Sequence, residues 1–146
     1  MKYKPIILIA SLMLAPQALA SEETKIFVGG WSKHLNNKDL NETHNVVGFI
    51  YNNFELLKFN NSYNKSSTQI SYHHKFNSYL GLRLGVVNGY NNKKYSVGEF
   101  IPVIHPTLSL DLHKVKGYSL GVEFGYVPYS GGDSKGVMTL QTYFKY

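Results

Sequence analysis
A hydroxyl group attacks or polarises an acyl carbonyl only when a base lies within hydrogen-bond reach. In this 146-residue chain His34 and Ser62 are the pair that suits such chemistry. His34 stands where a first apolar-patterned segment enters a long polar stretch. Ser62 lies in Phe59-Asn60-Asn61-Ser62-Tyr63-Asn64-Lys65, where a third such segment ends. Residues far apart in sequence meet when their segments end at the same rim of a closed sheet. Two polar side chains in water at a loop rim give the same pattern, so both readings stand at this level. Asn41-Glu42-Thr43-His44 sets a carboxylate beside an imidazole in or next to the first polar stretch, the arrangement of a surface pair.

The six histidines are His34, His44, His73, His74, His105 and His113, and none has a partner at zinc-site spacing. His73 and His74 are adjacent, so on a strand they face opposite sides and cannot chelate one ion. His105 shares a parity with Thr107, Ser109 and Asp111 and reads as a hydrogen-bonded interior residue. No cysteine is present, which excludes disulfide scaffolds, thiol catalysis and Cys-ligated metals. The sequence therefore calls for no metal and no cofactor. The net charge is +6, to which Lys2 and Lys4 contribute two. That charge has no dense Lys/Arg cluster, so nucleic acid is not an expected partner. Diffuse positive charge suits a protein set among anionic lipid head groups.

The elements that would position these groups are strands. Eight candidates run over Thr24–His34, His44–Tyr51, Phe54–Tyr63, Ser66–Phe76, Ser78–Tyr90, Phe100–Leu112, Lys116–Val127 and Val137–Tyr146. Turn signals separate them: Asn36-Asn37-Lys38, Asn52-Asn53, Asn64-Lys65, Asn91-Asn92-Lys93, His113-Lys114 and Tyr129-Ser130-Gly131-Gly132. In the fifth, Leu80, Leu82, Leu84 and Val86 oppose Gly81, Arg83 and Gly85. In the seventh, Leu120, Val122, Phe124 and Tyr126 oppose Ser119, Gly121, Glu123 and Gly125. Charged and small residues on the second face suit a tight polar interior with lipid outside. Twelve Tyr and eight Phe supply interfacial aromatics. The last segment, Val137-Met-Thr-Leu-Gln-Thr-Tyr-Phe-Lys-Tyr146, alternates and ends on an aromatic residue, as a closing outer-membrane strand does. Lys2 and Lys4, the apolar run Pro5 to Leu14 and Gln17-Ala18-Leu19-Ala20 read as a signal peptide cleaved before Ser21. The expectation is an all-β, eight-stranded antiparallel transmembrane barrel over residues 21–146, monomeric, in a bacterial outer membrane. Pro102 and Pro106 inside the sixth segment lack the amide hydrogen a ladder needs, so a local gap in pairing is expected there.

The chain also resembles the lipid A palmitoyltransferase (PagP-like) family of outer-membrane acyltransferases. That family's Phe-x-Asp-Ser-Trp-Asn-Lys motif is similar to Phe59-Asn60-Asn61-Ser62-Tyr63-Asn64-Lys65. Its Ile-Pro-x-Pro segment resembles Ile101-Pro102-Val103-Ile104-His105-Pro106, and its Tyr-Ile-Pro-Gly turn resembles Tyr126-Val127-Pro128-Tyr129. Its Trp-His and Asn-Glu pairs resemble Trp31-Ser32-Lys33-His34 and Asn41-Glu42. The resemblance implies a barrel holding one acyl chain of a phospholipid donor and passing it to lipid A. It places the family's His, Asp and Ser on His34, Asn61 and Ser62. The acid has become Asn61, which can orient a neighbour but cannot hold a proton. The amino-terminal amphipathic helix is missing, and the fourth segment carries bulky Tyr72, His73 and His74. Hydrolysis of lipid A or phospholipid is the neighbouring expectation. A catalytically silent barrel acting through Asn- and Lys-rich external loops, as a phage-type conversion factor would, is the alternative. A channel is disfavoured, because eight strands leave room only for side chains.

Overall fold
The structure, a computed structural model, describes residues 23–35, 39–90, 97–128 and 136–146. Within them eight antiparallel strands close into one barrel, each beside its sequence neighbours and the last beside the first. They are β1 (Lys25–His34), β2 (Val47–Tyr51), β3 (Phe54–Asn60), β4 (Ser66–Lys75), β5 (Leu80–Val87), β6 (Ile101–Val115), β7 (Tyr118–Val127) and β8 (Val137–Lys145). The expected leader over 1–20 and its cleavage before Ser21 lie outside the described residues. So do the turns at Asn36-Asn37-Lys38, Asn91-Asn92-Lys93 and Tyr129-Ser130-Gly131-Gly132.

Simple up-and-down order puts the connections after β1, β3, β5 and β7 at one rim and the other three at the opposite rim. Two of those three are tight. Asn52 and Asn53 both have positive φ, 48° and 68°, the conformation that suits a two-residue hairpin turn between right-twisted strands. Lys116 and Gly117 repeat it at 45° and 89°. The turn expected at His113-Lys114 therefore lies further on. β6 runs through a bulge between Asp111 and His113 and still pairs Lys114 with Ser119 and Val115 with Tyr118.

The outer surface is apolar, and the inside combines a charged network with two apolar clusters, one around Phe27, Ile50 and Leu57 and one around Val87, Ile101 and Val103. Ile26, Val47, Phe49, Ile70, Val86, Ile104, Leu108, Leu120, Phe124 and Phe144 are exposed. Lys25, Glu55, Arg83 and Glu123 are each at most 2% exposed. Arg83 Nε lies 2.7 Å from Glu55 Oε2, and its guanidinium also meets Glu123. Lys25 Nζ approaches Glu123 at 3.3 Å, while Ser71 donates to Glu55 and Ser109 to Glu123, both at 2.6 Å. Two cations thus face two carboxylates, so the plug is charge-balanced and fills mid-barrel with side chains.

Two irregularities shape the upper rim. At Gly29 (φ +80°) the register of β1 against β8 slips between Phe27 and Gly30. This bulge inverts parity, so Phe27 and then Gly30 and His34 are buried while Trp31 and Lys33 face out. A Cβ at position 29 would sit in a backbone conformation that L-residues avoid by about 1–2 kcal/mol. Gly29→Ala is expected to lower stability by about that amount, read as a reduced urea midpoint of the folded barrel.

The second irregularity lies in β6, where Ile101–Leu108 pairs with β5 but pairing with β7 begins only at Thr107. Pro102 and Pro106 occupy this half-paired stretch. Among the described residues β6 therefore makes no pairing with β7 above Thr107, the stretch where the prolines implied a gap.

Candidate active site
Three segments meet at the rim of the odd-numbered connections. His34 ends β1 and pairs with Val137. Glu42–Val46 runs back along β1: Glu42 O accepts from Ser32 N (2.9 Å), and His44 N donates to Gly30 O (2.8 Å). The same residue bridges to β3, because His44 O accepts from Asn60 N at 2.8 Å. The β3–β4 turn then carries Asn61 and Ser62 over the top, tied to the first connection by Asn41 N donating to Ser62 O at 2.9 Å.

His34 and Ser62 come together: Nε2 lies 2.9 Å from the Ser62 hydroxyl, with His34 3% exposed. A neutral imidazole there accepts the hydroxyl proton. Its Nδ1 has no hydrogen-bond partner among the described residues, and Glu42 Oε1 stands 3.9 Å away. Glu42 is held as a carboxylate, its pKa lowered chiefly by the hydrogen bond from Lys33. Tyr90 is also hydrogen-bonded to Ser62, and burial pushes its phenol up to about 12, so it remains a proton donor.

Asn61 lies beside this pair but spends its side chain on the turn. Its Oδ1 accepts from the Tyr63 and Lys65 amides at 2.9 and 3.1 Å. Its Nδ2 donates to Ser67 Oγ at 3.0 Å and to the Gly89 carbonyl at 2.8 Å, and the residue is wholly buried. An aspartate here would aim an oxygen at that carbonyl. Asn61→Asp is expected to destabilise the barrel by about 1–3 kcal/mol and not to raise activity; urea unfolding and turnover measured on one preparation check it.

His44 is no surface residue. It is 8% exposed and faces inward, with Nδ1 2.7 Å from the Asn60 carbonyl and Nε2 2.6 Å from Ser32 Oγ. The carbonyl can only accept, so Nδ1 carries the proton and Nε2 takes that of Ser32. Burial lowers the His44 pKa, opposed by the Asn60 carbonyl and the Glu42 charge. The charged form is the one penalised, so the imidazole stays neutral at pH 7. It should protonate only below the ordinary value of about 6.5, as an NMR titration of its ring protons would register. Ser32 and this role of His44 escaped sequence reading, because the signal is the bulge at Gly29.

Beneath these groups lies a cavity of about 110 Å³. Ser32, His44 and Ser62 line its polar end, and Val46, Phe59, Val87, Ile101, Val103 and Val137 are among its walls. Gln69 and His105 reach it from the polar interior, and Pro102 and Val127 line it on the side of the unpaired β6/β7 stretch. A cavity of ~150 Å³ holds a benzene molecule, so this one takes a few methylene groups. His73 is buried inward and His74 points out, as adjacency required, and His105 bonds Thr139 at 2.9 Å. Among the described residues no three His, Asp or Glu side chains gather as metal ligands. The chain matches no protein-family model and no curated protein sequence.

Proposed function
We propose that this chain is an outer-membrane barrel that moves or cleaves an acyl chain of phospholipid or lipid A, with lipid A as acceptor when the chain is transferred. The observation that carries the reading is the His34–Ser62 contact at the mouth of an apolar cavity beside the unpaired seam between β6 and β7. An acyl tail entering through the seam would set its first few methylene groups in the cavity, with its ester carbonyl at Ser62. The resemblance to the lipid A palmitoyltransferases points the same way.

The outer surface supports the membrane setting. Tyr51, Phe54, Phe76, Tyr79, Tyr118 and Tyr146 are exposed around the rim of the even-numbered connections. Trp31, Tyr63, Phe100 and Tyr126 are exposed around the other. Aromatic girdles of this kind mark the two interfaces of an outer-membrane barrel. From Tyr118 to Tyr126 a strand climbs about 26 Å, or about 20 Å of height at a tilt of ~40°. That is close to the apolar band of such barrels.

In this reading the acceptor hydroxyl, on lipid A or water, gives its proton to Ser62 Oγ while Ser62 passes its own to His34 Nε2. The acceptor oxygen attacks the acyl carbonyl, and the departing alcohol takes the proton back. Glu42 steadies the imidazolium by charge. Incubating the refolded protein with vesicles of phospholipid and lipid A tests the reading. Release of lysophospholipid supports it, and its absence from folded protein leaves the silent barrel acting through its loops. The full engagement of Asn61 in its turn favours that second reading.

A further inference from the structure
Among the described residues the rim holds two serine–imidazole pairs, and the better-oriented one is Ser32–His44. A nucleophile needs a base, and the base needs a third group to fix its tautomer and aim. His44 has all of this: Ser32 Oγ at 2.6 Å on Nε2 and the Asn60 carbonyl at 2.7 Å on Nδ1. His34 has the hydroxyl at 2.9 Å, but its Nδ1 lacks a hydrogen bond among the described residues. The two pairs are adjacent. Ser32 and His34 are both turned inward by the bulge, two residues apart on β1 and so about 6.6 Å along the strand. Both pairs reach the same cavity, which Ser32, His44 and Ser62 all line.

We propose that Ser32 is a covalent nucleophile that carries the acyl group between donor and acceptor. The proposal rests on reading the rim as an ester-handling site. Ser32 Oγ gives its proton to His44 Nε2 and attacks the donor carbonyl. The bond from that carbon to the glycerol oxygen breaks, and His44 returns the proton to the leaving oxygen. The products are lysophospholipid and an ester on Ser32. The acceptor hydroxyl, deprotonated through Ser62 and His34, then attacks that ester. The carbon–Oγ bond breaks, and the proton that His34 took from the acceptor returns to Ser32 Oγ through solvent, so both imidazoles end neutral. The two pairs thereby divide the reaction: one makes the acyl-enzyme and the other discharges it.

The bland account is that Ser32 only helps pin the first connection to β1. The two accounts differ in reactivity, so the test is labelling of the refolded full chain in detergent micelles with an octyl fluorophosphonate. Displacement of fluoride leaves a phosphonate ester on an activated serine, which peptide mass spectrometry locates without any variant. The expected result is one adduct on Ser32. Labelling should be ~100-fold slower in His44→Asn, whose amide keeps the donor to the Asn60 carbonyl but supplies no base. Ser62→Ala should label Ser32 at close to the wild-type rate.

An adduct on Ser62 instead, or lysophospholipid release undiminished in Ser32→Ala, would overturn the nucleophile and leave the acyl-transfer reading intact. A Ser32 adduct from a chain that alters no lipid would retain the nucleophile and remove lipid as its substrate. No adduct and no lipid change from folded protein would remove both.

Discussion
Arg83→Leu is expected to lower the stability of the folded barrel by about 3–5 kcal/mol, the usual cost of stripping one partner from a buried ion pair. Arg83 meets both Glu55 and Glu123, and Lys25 reaches only Glu123 among these two. Without the guanidinium, Glu55 keeps hydrogen bonds from Ser71 and Gln69 but faces no cation among the described residues. Arg83→Lys should be intermediate, since one ammonium cannot fork between two carboxylates. Adding Glu55→Gln to Arg83→Leu should recover part of the loss by removing the orphaned charge. Urea titration of all four proteins, followed by tryptophan fluorescence from Trp31, checks the order.

His34→Ala and Ser62→Ala are each expected to cut lysophospholipid release by ~100- to 10,000-fold, the range over which a positioned acid–base group acts. Because the two side chains form one proton path, the double variant should lose no more than the worse single variant. Neither substitution touches the Arg83 network, so the urea midpoints of the variants should stay near that of the parent. A loss of turnover accompanied by a lowered midpoint would point instead to a damaged rim.

Much of this fold was legible from period-two patterning. The parities of Leu80–Val86 and Leu120–Tyr126 put Arg83 and Glu123 inside, where the structure has them. Pro102 and Pro106 announced the half-paired stretch of β6, because a missing amide hydrogen is a local fact that tertiary context cannot repair. The β6–β7 turn was misplaced for an equally local reason. His113-Lys114 looked like a break, yet a bulge absorbs the irregularity and Gly117 supplies the left-handed residue three positions on.

The candidate site was legible only in part. His34 and Ser62 could be paired from their places at strand ends, and the structure sets them 2.9 Å apart. The Ser32–His44 pair could not, since unbroken alternation from Phe27 sends Ser32 and His34 outward. The bulge at Gly29 reverses that, and a glycine in a strand does not by itself say whether the chain will bulge. Asn61 was matched to a catalytic position by its place in a motif. Its hydrogen bonds to Tyr63, Lys65, Ser67 and Gly89 depend on a turn geometry that no motif encodes.

Mass spectrometry of lipid A from Gram-negative cells expressing this chain, beside cells expressing His34→Ala, bears most directly on the central claim. The account predicts a species heavier or lighter by one acyl chain that disappears in the variant. An identical lipid A and phospholipid profile in both, with the barrel folded and inserted in the outer membrane, would contradict it.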